Sequence, residues 1–306
     1  MPEAARGHVS GFVSILGRPN SGKSTLLNAL VGTKLAIVAV KPQTTRDLVQ
    51  GVLTLPDAQI VFLDTPGIHK PDTLLDRRMM ESIRAALNER DLLLFVADAS
   101  RRFGEDDEEA VRLIEKTSAP ALLVLNKVDR VKDKRLLLPL IERYKAVREF
   151  ADYIPVSALT RAGLDDLRAA ILPRLPEGPV YFPPDYLTDQ PERFLAAELV
   201  REKILAETRQ EVPHSVAVLV DSWDETERLT RIAATIYVER GGQKGIIIGA
   251  KGSMLKRIGT LAREEMERMF GRKIFLELYV RVQPRWRESP AFLEQLDWHS
   301  MAGKTD

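Results

Sequence analysis

Six apolar runs recur along the first 175 residues: "FVSIL" from Phe12, "VQGVLTL" from Val49, "AQIVFL" from Ala58, "DLLLFVA" from Asp91, "PALLVLN" from Pro120 and "YIPVS" from Tyr153. Between most of them lie helical patterns with one apolar face, over Leu74 to Glu89, Glu105 to Lys116 and Asp133 to Phe150. Short continuous apolar strands separated by such helices predict βαβ units and a mostly parallel sheet covered on both faces. The run at Val49 follows an extended loop rather than a helix, which suits an antiparallel edge strand.

The texture changes between Pro173 and Pro191, where six of the chain's 18 prolines fall. Proline fixes φ and lacks an N–H, so this stretch cannot be a helix or a central strand and reads as a semi-rigid linker. Beyond it a helix pattern (Glu192 to Glu207) precedes two strand patterns, "HSVAVLVDSW" and "LTRIAATIYVE". A glycine-rich stretch, a helix from about Met254 to Met269 and a last strand, "IFLELYVRV", complete an α-β-β-α-α-β order. The expected organisation is an α/β domain over residues 8–178, a proline-rich linker over 179–191 and a smaller α+β domain over 192–306.

Composition agrees with this division. A chain of 306 residues accommodates about two domains at roughly 150 residues each, and 44% hydrophobic with 29% charged residues is ordinary for globular proteins. The absence of cysteine excludes disulfides and thiolate metal sites. His8, His69, His214 and His299 are too scattered to be a zinc set. The N-terminus lacks the basic and apolar blocks of a signal peptide, and no run approaches the ~20 apolar residues of a membrane span. These features point to a soluble, cytoplasmic protein. The net charge of +1 conceals a basic segment: Arg240 to Arg287 carries twelve Lys or Arg against four Glu, an excess of +8. Such a segment suits an anionic partner.

Candidate chemistry begins at "GRPNSGKS" (Gly17, Arg18, Pro19, Asn20, Ser21, Gly22, Lys23, Ser24), which follows the first strand and opens a helix at Thr25. It matches G-x-x-x-x-G-K-S/T in the context that pattern requires. Glycines let the backbone N–H groups wrap phosphate, and the helix N-terminus adds partial positive charge. Lys23 would reach the β- and γ-phosphates and the Ser24 hydroxyl would bind Mg²⁺. At the end of the third run, "DTPG" (Asp64, Thr65, Pro66, Gly67) offers a carboxylate for the Mg²⁺ shell and a glycine N–H for the γ-phosphate. "NKVD" (Asn126, Lys127, Asp129) ends the fifth run, where Asp129 can accept two hydrogen bonds from guanine that adenine cannot offer. "VSAL" (Ser157, Ala158, Leu159) ends the next and can bring the Ala158 N–H to guanine O6. All four segments fall at carboxyl ends of predicted strands, where open α/β sheets bind ligands.

The ordered set "GRPNSGKS … QTTR … DTPGI … NKVD … VSA" resembles the TRAFAC-class GTPases, in the wording of the branch that contains the Era, Der and TrmE families. The resemblance implies GTP and GDP as ligands and GTP hydrolysis as the activity, with Lys23, Thr45 and Gly67 as catalytic residues. Thr45 matches the switch threonine that joins Ser24 and Asp64 around Mg²⁺, with Thr44 as its rival. Ras-like enzymes orient water with a glutamine just after their DxxG motif. Here that position is Ile68, which can neither donate nor accept a hydrogen bond. The branch shares this residue, and the resemblance implies slow intrinsic turnover assisted by K⁺ through Asn20. His69 and Arg46 read as solvent-exposed residues of the switch loops rather than as catalytic groups. Ser21 stands where the Era family commonly has an apolar or small residue.

A second glycine loop lies in "GIIIGAKGSMLKRIG", Gly245 to Gly259. Gly249, Ala250, Lys251 and Gly252 lack the GK-S/T ending of a phosphate loop and fit the G-x-x-G turn of a KH domain, where two helices meet over a nucleic-acid backbone. Lys251 would neutralise phosphate, Ile246, Ile247 and Ile248 would supply an apolar floor for bases, and Lys256 and Arg257 would extend the positive track. The element order is that of the type II KH fold. One GTPase domain, a linker and a C-terminal KH domain resemble the Era family over nearly the whole chain. Der-type proteins carry two GTPase domains, and TrmE-type proteins place theirs late in a longer chain. The Era resemblance implies binding to the single-stranded 3′ end of small-subunit ribosomal RNA, a role in assembling that subunit as a monomer, and loose association with the inner face of the cytoplasmic membrane. A reading from another class is a GTP-dependent signalling switch whose basic module binds protein or anionic membrane instead of RNA. An ATPase would require NKVD to be accidental.

Overall fold

The apolar runs pair into one six-stranded sheet in the order β2-β3-β1-β4-β5-β6. Its strands are β1 (Val9–Leu16), β2 (Val49–Leu55), β3 (Ala58–Asp64), β4 (Leu92–Asp98), β5 (Ala121–Asn126) and β6 (Asp152–Pro155). The computed structural model describes residues 7–298 apart from 40, 42, 89, 116 and 209–211. The predicted helix ends Glu89 and Lys116, His299 and the predicted domain's last residues therefore lie outside the described residues. Every pairing in this sheet is parallel except that of β2, which runs antiparallel to β3 at the edge.

Five helices cover the sheet: α1 (Lys23–Val31), α2 (Leu74–Leu87), α3 (Glu105–Leu113), α4 (Leu137–Val147) and α5 (Leu164–Ile171). Strand β4 shows how side chains sort by alternation. Leu92, Leu94 and Val96 enter one core with Leu26, Leu27 and Leu30 of α1 and Leu164, Leu167 and Ile171 of α5. Leu93, Phe95 and Ala97 enter another with Ile83 of α2, Ala110 and Val111 of α3 and Tyr144 of α4. β3 and β5 are buried at every position, as strands covered on both faces must be.

The proline-rich segment is fastened to this sheet for most of its length. Ser10 N donates to Pro176 O at 3.0 Å, and Val52 N on the edge strand donates to Leu187 O at 2.9 Å. Between them the fully buried Gln59 accepts from Tyr181 N (2.8 Å) and Phe182 N (3.0 Å) and donates to Phe182 O (2.9 Å). The chain forms two compact units. The first holds residues up to Val38, Thr45–Pro71 and Arg78–Asp189; the second holds Ala39–Thr44, Asp72–Arg77 and the chain from Gln190.

In the second unit, α6 (Glu192–Glu207) is followed by β7 (Ala217–Glu225), β8 (Thr230–Val238), α7 (Gly241–Ile248), α8 (Ser253–Phe270), β9 (Ile274–Val282) and α9 (Pro290–Leu296). β8 is central, antiparallel to β7 and parallel to β9. This is the α-β-β-α-α-β order expected of a type II KH fold. Ile258, Ala262 and Met266, four residues apart, are the buried stripe of α8. The tail is pinned by Trp286, fully buried, whose indole N–H donates to Ser215 O at 2.9 Å.

Candidate nucleotide site and nucleic-acid groove

Strand ends deliver the first unit's polar side chains to one place. After β1 the chain turns through Gly17 to Gly22 into α1. Gly22 has φ 98°, a left-handed conformation that L side chains resist, and a Cβ there would stand 2.3 Å from Asn126 Nδ2. Lys23 is 6% exposed and its ammonium donates to Gly17 O (3.2 Å) and Arg18 O (3.1 Å). Burial pulls its pKa down to about 8, partly offset by Asp64. Gly67 lies so close to Pro19 that a Cβ would meet its Cα at 2.7 Å, which holds the "DTPG" loop against the phosphate loop. Thr65 and Pro66 of that loop are buried.

Three oxygens converge at the start of α1. Ser24 Oγ donates to Asp64 Oδ2 at 2.6 Å and lies 2.7 Å from Thr45 Oγ1. Thr44 instead turns its hydroxyl to Lys41 O at 2.6 Å, so the geometry selects Thr45 over its neighbour. Asp64 is fully buried, and its other oxygen, Oδ1, has no hydrogen-bond partner. Burial pushes this carboxyl up to about 6, against the attraction of Lys23 and the hydrogen bond from Ser24. An orphaned buried carboxylate oxygen beside two hydroxyls is a donor set suited to a hard divalent cation.

The base-reading end is equally interlocked. Asn126 donates to Ser21 O at 2.9 Å, and its Oδ1 accepts from Lys127 N (2.8 Å) and Ala158 N (3.0 Å). Lys127 donates to Asp98 Oδ2 at 2.7 Å and to Asn20 O. Asp129 is exposed, with Oδ1 held by the buried Ser157 hydroxyl at 2.6 Å, so that a carboxylate of fixed orientation faces outward. Leu159 is 72% exposed. Asp98 escaped the sequence reading, although it ends β4 and the strand-end rule that found its neighbours applies to it. Arg46 is 8% exposed, which corrects its assignment to the solvent: the residue is buried. The His69 ring nitrogen Nδ1 lies 2.8 Å from Gly67 O, and Ile68 packs against the core beside α2 to α4.

In the second unit the glycine turn joins α7 to α8. Gly249 (φ 69°), Lys251 (φ 51°) and Gly252 (φ 79°) are all left-handed, and nothing lies within 4 Å of a Cβ built on Gly252. A groove of about 380 Å³ runs from Gly252 and is lined by Leu255, Lys256, Thr260, Arg263, Leu276 and Leu278. The isoleucine triplet divides. Ile247 is fully buried and cannot meet a base, Ile246 is 51% exposed and Ile248 is half-buried. The floor is leucine from α8 and β9. Ala250, Lys251, Lys256 and Arg257 are exposed, and Arg257 pairs with Glu207 at 2.7 Å.

Comparison with known proteins bears on both units. A family described as "50S ribosome-binding GTPase" matches residues 12–127, and the KH domain family matches residues 211–287. The chain is 50% identical over 291 residues to GTPase Era of Geobacter metallireducens, covering 94% of this chain and 97% of that one. It is 48% identical to GTPase Era of Rippkaea orientalis, over 97% of this chain and 95% of the relative. Among solved structures, an Aquifex aeolicus Era variant bound to GDP·AlF4⁻ superposes with a TM-score of 0.91 at 44% identity, over 95% of this chain and 99% of the other. Era in complex with MgGDPNP and nucleotides 1506–1542 of 16S ribosomal RNA superposes at 0.92 and 43% identity, with the same coverage.

Proposed function

This chain belongs to the GTPase Era family, and on that premise we propose that it couples its GTPase cycle to binding the single-stranded 3′ end of small-subunit ribosomal RNA during assembly of that subunit. The enzyme hydrolyses GTP to GDP and phosphate. The observation that carries the RNA assignment is the groove beside Gly252. Its glycine leaves room for a phosphodiester to approach the backbone, Lys256 and Arg263 line the track, and Leu255, Leu276 and Leu278 offer apolar surface to splayed bases. The relative solved with 16S RNA supports the choice of that RNA. The description naming the 50S particle covers residues 12–127 only, outside the groove.

Gly249→Asp with Gly252→Asp places two carboxylates at the turn. The double variant should lose a fluorescent 3′-terminal 16S oligonucleotide while hydrolysing GTP at its intrinsic rate. RNA affinity retained in the folded variant would move the groove elsewhere.

At the nucleotide site, Ser24, Thr45 and Asp64 are the residues that would hold Mg²⁺, and Asp64 Oδ1 is the atom that most needs a cation. When bound, Mg²⁺ supplies positive charge to the β- and γ-phosphates. Lys23 keeps its hold on the two loop carbonyls and turns its remaining N–H towards the phosphate oxygens, and the Gly67 N–H closes on the γ-phosphate. Asp129, oriented by Ser157, reads guanine. Because Ile68 cannot position water, turnover is slow and K⁺ near Asn20 assists it. The protein acts as a monomer. It works in the cytoplasm and touches anionic membrane peripherally through Leu136 and Leu138 (62% and 68% exposed), which neighbour Lys132, Lys134 and Arg135. Leu136→Ser with Leu138→Ser should release it from anionic vesicles, and undiminished co-sedimentation would count against this contact.

A further inference from the structure

Arg18 is the second residue of the phosphate loop, yet its side chain is spent on the first turn of α3. Its guanidinium reaches the first turn of α3, with Nη1 donating to Asp107 Oδ2 at 2.8 Å and Nη2 to Asp106. Asp106 is largely exposed, whereas Asp107 is 8% exposed and gathers three donors. Besides Arg18, Gly104 N donates to Oδ2 at 3.0 Å, and the Tyr144 hydroxyl on α4 donates to Oδ1 at 3.0 Å. Tyr144 is 2% exposed, with its ring edge-on to Phe103 at 4.8 Å and tilted against Phe95 at 6.1 Å. Burial and the neighbouring Asp107 raise the pKa of its hydroxyl, so it remains a donor.

The link from this cluster to the chemistry is a single peptide group. The carbonyl of Arg18 is one of the two that accept from the Lys23 ammonium. The space between Arg18, Ser21, Asp107 and Tyr144 is only about 10 Å³, room for at most one water. The Arg18 side chain is held there by its two carboxylate partners and is about three-quarters buried.

We propose that Asp107 and Tyr144 are positioning residues of the GTPase site: they anchor the Arg18 side chain, and its anchored backbone sets the carbonyl that aligns Lys23 for the phosphates. The inference rests on the nucleotide assignment of the loop. Asp107→Asn replaces a carboxylate that serves three donors with an amide that has a single acceptor oxygen and an NH₂ to set against a guanidinium. A bound nucleotide then meets a loop whose resting geometry is no longer held.

The test uses the full chain and a fluorescent GDP analogue. Asp107→Asn should speed its dissociation about tenfold, the scale of a lost hydrogen bond between charged groups, and raise KM for GTP by more than it lowers kcat. The preference for GTP over ATP should stay as it is, because Asp129 and Ser157 are untouched. Tyr144→Phe keeps the ring packing and removes one donor, so dissociation should speed by about threefold. Glu108→Gln, on the same helix but turned to Arg112 at 2.6 Å, should leave dissociation within about twofold. The deciding measurement is a cycle with Arg18→Gln. In that background neither Asp107→Asn nor Tyr144→Phe should add to dissociation, because the effect runs through Arg18. Effects that multiply, or an Asp107→Asn variant that releases as slowly as wild type, overturn the proposal. A wild type unable to bind the analogue would overturn the nucleotide assignment itself, so the two failures are distinct.

Discussion

Asp64→Asn separates what the carboxylate proposed to hold Mg²⁺ costs the fold from what it does for ligand. The side chain is fully buried, and burial raises its carboxyl from 3.8 to about 6 even with Lys23 nearby and a hydrogen bond from Ser24. That gap corresponds to roughly 3 kcal/mol. A raised carboxyl holds its proton in the fold where the unfolded chain has released it. The stability it contributes is therefore complete below 3.8 and lost as pH rises through about 6. Nucleotide-free wild type should lose roughly 3 kcal/mol from this group across that window, while asparagine, which does not ionise, should lose none. The advantage of Asp64→Asn over wild type should thus grow by roughly 3 kcal/mol between about pH 4 and 7 in EDTA. Tryptophan fluorescence is the wrong probe, because Trp223, Trp286 and Trp298 all lie in the second unit. Amide exchange of β3 during a urea titration reports the right one. Excess Mg²⁺ with GDP should then reverse the order, since a ligand at about a thousand times its Kd adds roughly 4.1 kcal/mol only to the protein that binds it. An advantage that stays flat from about pH 4 to 7 would refute the claim that an uncompensated buried charge sits at the site.

Asp129→Asn should lower GTP affinity about a thousandfold or more and shift preference towards xanthine nucleotides; competition binding with GTP and XTP checks it, and an unchanged GTP preference would sink the base-reading role. GTP turnover in KCl should exceed that in NaCl at equal ionic strength, and equal rates would dispose of K⁺ assistance through Asn20. Gln59→Leu should destabilise the first unit by about 1–3 kcal/mol, because Tyr181 N, Phe182 N and Phe182 O lose their buried side-chain partner. Unfolding of the variant at the wild-type urea midpoint would show that the proline-rich segment is not anchored there.

The parallel sheet was legible because strands buried on both faces write themselves as continuous apolar runs, and β3 and β5 are such strands. The proposed nucleotide site was readable for a related reason: phosphate chemistry demands glycine, lysine and carboxylate at strand ends, and few alternatives satisfy it. Proline content was a poorer guide. It shows that a backbone cannot enter a helix or central strand, but it is silent on whether that backbone docks. Part of the docking of 176–187 runs through Gln59, a polar residue inside an apolar run whose partners in that segment lie more than 120 positions away. Distance along the chain hid Asp107 and Tyr144 from Arg18 in the same way.

The groove in the second unit shows where local pattern misleads about direction. Three consecutive isoleucines look like one apolar surface, but successive residues of a helix point about 100° apart. Of Ile246, Ile247 and Ile248 in α7, the middle one therefore enters the core, the first faces solvent and the third lies between. The floor falls instead to Leu276 and Leu278, which share a face of β9 because alternate residues of a strand do. The same alternation puts Phe275 and Tyr279 on the opposite, exposed face. A bulky polar replacement at Leu278 should accordingly weaken RNA binding more than the same change at Ile246, although Ile246 is the nearer to the glycine turn in sequence. Greater loss at Ile246 would return the floor to α7.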